Sequence, residues 1–192
     1  GMEETMYGSL LLARADNENI QSMQDVKGKI VMATSIFDAG GCLYAMAEMD
    51  HHGLSLLQDP VQVIFVGQDF DAVVQGVLDE VADVGIVRTD WIEGMHGRGL
   101  VNLSQFTFLG LQEHPEFPLL SSTELYPEWS LGSLPHVHHT VRVEVLKALT
   151  SLSTSHPAAK AGMYSRWQVA GSLDNIVSLQ IRLGQLSVEQ ST

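Results

Sequence analysis

Apolar positions in this chain follow two rhythms. Compact apolar runs at Tyr7–Ala13, Ile30–Thr34, Val61–Val66, Ala82–Val87 and Phe106–Leu111 predict strands. Unbroken runs of this length are expected where both faces of a sheet are covered. Between them, apolar residues recur at helical spacing. The clearest case is Phe70, Val73, Val74, Val77 and Leu78, one face of a helix that Asp69 is placed to cap after Gly67 ends the preceding strand. A second helix is predicted over Cys42–His51, with Leu43, Met46, Ala47 and Met49 apolar and Gly53 closing it. Asp90 is placed to cap a short helix carrying Trp91, Ile92 and Met95, which Gly97 and Gly99 end. Further helices are predicted over Val141–Leu152 and Ala158–Trp167. Asp174 is expected to cap a last one, bearing Ile176, Val177, Leu179, Ile181 and Leu183.

Polar stretches fill the gaps. Arg14–Gln24 reads as a loop with a short helical turn, and Ser35–Gly41 as a small-residue loop. His114–Pro135 holds four of the six prolines and predicts an extended, irregular crossing. From Ser187 the tail is polar and expected to fray. Strands alternating with helices predict an α/β fold with a largely parallel sheet.

Composition narrows the function. At 192 residues and 45% apolar, the chain can bury a core in one large domain or two small lobes. A net charge of −13 with only 10 Lys and Arg argues against nucleic acid, whose phosphates require clustered cations. No apolar run approaches the roughly 20 residues of a membrane span. One cysteine, Cys42, leaves no internal disulfide. Gly1 before Met2 looks like a tag remnant, and the acidic Glu3 and Glu4 do not resemble a signal peptide.

Candidate chemistry sits at the predicted strand ends, where open α/β sheets hold ligands. Ser35–Gly41 lies between a strand end and a helix N-terminus, whose free N–H groups favour an anion. Ser35 supplies a hydroxyl there, Gly40 and Gly41 permit close backbone approach, and Asp38 would repel an anion. Gln68 and Asp69 stand at the next strand end, Arg88 and Thr89 at the one after. A guanidinium can fork onto a carboxylate, phosphonate or sulfur oxyanion. Each has a purely structural alternative: Asp69 as a cap, Arg88 paired with Glu93 or Asp90, and the two glycines serving a tight turn. Tyr126 and Trp129 could line a cleft or pack at a junction.

Rival chemistries are thinner. His136, His138 and His139, with His51 and His52, suggest imidazole ligands, but the 136–139 cluster follows Pro135 in a predicted loop. Cys42 near a helix N-terminus suggests a nucleophile, without an identifiable base. No nucleotide-binding glycine motif occurs. Neither a catalytic residue, a metal nor a cofactor is expected.

Four pieces in order carry a family resemblance. They are YGSLLLARADNENIQSMQDVKGKIVMA, SIFDAGG, VGQDFDAVVQGVLDEVADVGIVRTDWIE and the C-terminal helices. Over residues 7–186 the chain resembles the phosphonate-binding-protein-like family of type II periplasmic solute-binding proteins. ADVGIVRTDWIE together with SSTELYPEWS resembles its sensor branch, that of tetrathionate-type sensor histidine kinases. The resemblance implies a non-catalytic binding domain in which two lobes close over a small, oxyanion-bearing solute, serving as the sensory input of a signalling protein. A transport-linked binding protein and an interaction lobe without its own ligand are the alternatives. It implies residues 7–113 as the second lobe and 114–186 as a crossover with helices returning to the first, between terminal tails 1–6 and 187–192. Most of the family's first lobe has no counterpart in this chain. Apolar surface left uncovered predicts dimerisation, or cover from another segment. The resemblance implies a periplasmic or other extracytoplasmic location.

Overall fold

The computed structural model describes residues 5–162 and 164–184. The terminal tails, residues 1–4 and 187–192, lie outside the described residues. Strands are β1 (Met6–Tyr7), β2 (Ser9–Arg14), β3 (Ile30–Ala33), β4 (Gln62–Phe65), β5 (Val84–Arg88), β6 (Phe106–Leu109) and β7 (Tyr126–Pro127). Helices are α1 (Tyr44–His51), α2 (Phe70–Leu78), α3 (Trp91–Gly97), α4 (His139–Thr150), α5 (Pro157–Ala161) and α6 (Asp174–Arg182).

Five strands form one sheet in the order β4-β3-β5-β2-β6. β3 pairs parallel with β4 and β5, while β2 lies antiparallel between β5 and β6. Four strands thus run one way, as the pattern predicted, and β2 runs against them. Its unbroken Leu10–Ala13 run has the reason expected: all four side chains are fully buried, alternately on the two faces. Leu11 and Ala13 join Val31, Ala33, Ile86, Ala45 and Met49 on the α1 face. Leu10 and Leu12 join Val73, Val74, Val77, Ile92 and Met95 beneath α2 and α3. The result is a sheet with helices on both faces.

A third cluster ties the remaining elements to this body. β1 and β7 pair antiparallel, Tyr7 opposite Tyr126. The Tyr126 ring stacks on Tyr44 of α1 at 4.0 Å between centroids, and Tyr7 meets Tyr44 edge-on at 5.3 Å. Leu179 of α6 closes the cluster. Aromatic contacts of this kind add about 0.5–1.5 kcal/mol each beyond their burial.

Several expectations need correction. The first run is two strands, because Gly8 separates residues that pair with β7 from residues that pair with β5 and β6. Asp90 does not cap α3 through its side chain, since its carboxylate turns to Arg88 instead. Asp174 is the first residue of α6, not its cap; its own N–H is held by Ser172 Oγ. The Ala158–Trp167 helix shrinks to Pro157–Ala161. Trp129 does not pack at a junction: it is 81% exposed and borders an open pocket with Thr5 and Glu128, whereas Tyr126 is buried.

Candidate functional site

Because β4, β3 and β5 are adjacent and parallel, their C-terminal ends share one edge of the sheet. All the strand-end candidates fall there. After β4, Gln68 is exposed, and the Asp69 carboxylate accepts the Ala72 N–H at 2.9 Å, the cap of α2. Asp69 is therefore engaged by its own helix.

After β3 the chain makes a π-helical turn, Ala39–Leu43, that leads into α1. The helical path begins earlier than Cys42 for a local reason. The Asp38 carboxylate accepts the Gly41 N–H at 2.7 Å, and the Asp38 carbonyl accepts the Leu43 N–H at 2.9 Å. π turns are rare and often mark functional sites. Ser35 Oγ accepts the Phe37 N–H at 3.3 Å. A Cβ on Gly40 would stand 2.7 Å from Arg88 Cβ, and one on Gly41 would collide with Thr34 Oγ1. Both glycines thus serve close approach. The fully buried Thr34 Oγ1 has no hydrogen-bond partner among the described residues.

At the end of β5, Arg88 is held from three sides. Its Nη2 donates to Glu128 Oε1 at 2.7 Å, and its Nε to Asp90 Oδ1 at 3.1 Å. The guanidinium also lies 4.6 Å from the centre of the Tyr7 ring. Burial works against the charge, but Asp90 and Glu128 outweigh it and hold the Arg88 pKa above its ordinary value. Of the two partners weighed from sequence, Asp90 is found and Glu93 is not. Glu93 Oε1 instead accepts the Leu120 N–H at 2.8 Å.

Thr89 is a structural link. Its Oγ1 accepts the Gly8 N–H at 3.1 Å, and its N–H donates to Gly8 O at 3.0 Å. Across from it, Ser122 Oγ accepts the Leu11 N–H at 2.9 Å, and Thr123 Oγ1 accepts the Ser9 N–H at 3.0 Å. These hydroxyls satisfy N–H groups of β2 beyond or beside its ladder with β6. The two motifs that carry the resemblance, VRTDWIE and SSTELYPEWS, therefore interlock around β1 and β2. Glu128, inside LYPEW, is the site residue that sequence reading misses, because its partner Arg88 lies 40 residues away. An acid in one motif and an arginine in the other was the signal available.

Other candidates separate from this edge. Burial pushes the Cys42 thiol up to about 12, with Asp38 adding to it, so no thiolate forms near neutral pH. His138 Nδ1 accepts the Thr140 N–H at 3.3 Å as the cap of α4. No three His, Cys, Asp or Glu residues gather as a metal site among the described residues. No helix among them is long and apolar enough to cross a membrane.

A mixed sheet covered by helices on both faces, with polar groups converging where its parallel strands end, defines a type II periplasmic-binding-protein fold. Solved structures agree. A Xanthomonas citri protein bound to ATP superposes with a TM-score of 0.64 at 18% identity, over 94% of this chain and 67% of that one. PhnD1 from Prochlorococcus marinus, in complex with methylphosphonate, gives 0.62 at 15% identity, over 95% and 68%. At the level of sequence, the family model described as the periplasmic substrate-binding protein of a phosphonate ABC transporter matches residues 1–172, and the chain belongs to that family. It is also 33% identical over 144 residues to the tetrathionate sensor histidine kinase TtrS of Salmonella typhimurium. That match covers 75% of this chain and 24% of the kinase.

Proposed function

We propose that this chain is the ligand-binding input of a signalling protein. It takes a small, oxyanion-bearing solute at the sheet edge formed by residues 34–41, 68–69 and 88–89, and does no chemistry on it. The observation that carries this reading is the convergence of Arg88 with the Gly40–Gly41 turn at the ends of three parallel strands. A guanidinium there offers a forked donor. Kinship with a tetrathionate sensor favours the signalling role. The family description favours a transport-linked binding protein as the second reading. In either, residues 7–113 form one ligand-binding lobe, 114–186 lead across to a second, and the site works outside the cytoplasm.

A thermal-shift panel of phosphate, sulfate, methylphosphonate, tetrathionate and small carboxylates tests the reading. An anion present at about 100 times its Kd adds roughly 2.7 kcal/mol, which a melting curve resolves. The expected result is a shift that disappears in Arg88→Ala while that variant still melts cooperatively. A shift that survives the substitution moves the site elsewhere. No shift with any anion removes the oxyanion. The apolar surface of the C-terminal stretch is assigned to a second copy of the chain, and a monomer by light scattering at all concentrations would refute that.

A further inference from the structure

Arg88 enters this site already carrying carboxylates of its own, and the two differ in kind. Asp90 is two residues away, on the same tight turn, where its backbone is left-handed at φ 77°. Glu128 comes from 40 residues further along, directly after β7. Its N–H donates to Thr5 O at 3.0 Å, and its second oxygen accepts the Trp129 N–H at 3.4 Å. Beyond Trp129 the chain runs out to α4 and α5 before α6 returns to pack beside β7. The Arg88–Glu128 bond thus joins the candidate ligand edge to the point where the chain leaves it.

The arginine stem is fixed while its head is open to exchange. Gly40 lies against Arg88 Cβ, and Tyr7 lies against the guanidinium. The Arg88 and Glu128 side chains nevertheless remain 22% and 32% exposed, so a solute can reach the pair. A charge-assisted bond in such a partly covered place exceeds an ordinary surface ion pair.

We propose that Glu128 is a displaceable stand-in for the ligand: the solute's oxyanion replaces the Glu128 carboxylate on Arg88, and the exchange frees the chain at Glu128–Trp129. This rests on the oxyanion reading above. Asp90 stays, because its own turn holds it there. A solute with one weak acceptor oxygen competes poorly with a carboxylate, whereas one that presents two oxygens to the guanidinium fork competes well. The difference in contacts between the bound and free states is what shifts the segment leading to α4.

Calorimetric titration of the wild-type chain and Glu128→Gln with phosphate, sulfate, methylphosphonate and tetrathionate tests this, together with amide hydrogen exchange across residues 125–131. The glutamine variant should bind the anion that the wild type binds about tenfold more tightly, since it no longer competes as a charge. In the wild type, saturating anion should speed exchange at Glu128 and Trp129. Equal or weaker binding by a folded Glu128→Gln overturns the displacement and leaves the oxyanion reading standing. Unchanged exchange in the saturated wild type overturns it too, and needs no variant to fold. If neither protein binds any of the four anions, the oxyanion reading falls and the displacement falls with it.

Discussion

Residues 9–109 and residues 129–173 both contain well-patterned apolar segments, and they bury them to opposite extents. In the first region β2 is sealed on both faces and α2 buries Phe70, Val73, Val74 and Val77. In the second, α4 has no buried residue, and Trp129, Leu131, Leu134, Val141, Val145 and Val169 are all exposed. Leu131, Val137, Val141, Val145, Leu149 and Trp167 border an apolar cavity of about 250 Å³. An amphipathic helix states that something covers its apolar face; it does not state what. The α/β region finds its cover inside the chain. For α4 the described residues leave most of that face open, with Val141, Val145 and Leu146 exposed.

The sharpest way to break this comparison is to hollow out each region. Leu11→Ala in β2 should cost about 2–5 kcal/mol, because the buried cavity cannot collapse between two helical layers. Urea unfolding measures it, and a loss under 1 kcal/mol would mean the sheet is not the core it resembles. Next in size is the seam between the motifs. Thr123→Val deprives the Ser9 N–H of its acceptor and should cost about 1–3 kcal/mol, the usual penalty for an unsatisfied buried group. The same curves would show it, and a neutral result would mean water replaces the hydroxyl.

Alkaline pH probes the same buried region more gently. Folding raises the Cys42 pKa to about 12, and burial also raises that of Tyr44. The unfolded thiol titrates near about 8.5, so stability is intact below that and declines as pH rises toward 12. The melting temperature should fall between pH 8 and 11, and a thiol reagent at pH 8 should label Cys42 only after denaturation. Labelling of the folded chain would show that the turn Ala39–Leu43 opens. Smallest of all should be Val145→Ala on α4, within about 0.5 kcal/mol for the isolated chain. A larger loss, growing with protein concentration, would show that a second copy covers the helix.

Much of this molecule is legible in its sequence, and the legible part has a physical pattern. Asp69 caps α2 as its position before an apolar helical face implied, because capping is decided within three residues. The strands at 30–33, 62–65 and 84–88 sit inside the apolar runs that predicted them, apart from Arg88 at the rim. Local reading failed where a nearby partner lost to a distant one. Asp90 has the right place to cap α3 and is drawn off by Arg88, whose charge is stronger than an unpaired helix N–H. Asp38, by its charge a group that repels an anion, is also the acceptor that sets the turn.

What the sequence determined by itself is what short-range periodicity and steric preference control: the alternation of strands and helices, the buried character of β2, and a crossing rich in proline. What only the tertiary structure decided is pairing across distance. Nothing near Arg88 in the chain announces Glu128, nothing near Ser9 announces Thr123, and nothing near Gly8 announces Thr89. These partners lie 40, 114 and 81 residues apart. They meet because the order β4-β3-β5-β2-β6 brings one strand end beside another. That order is set by which faces can be buried together, a property of the whole chain and of no segment alone.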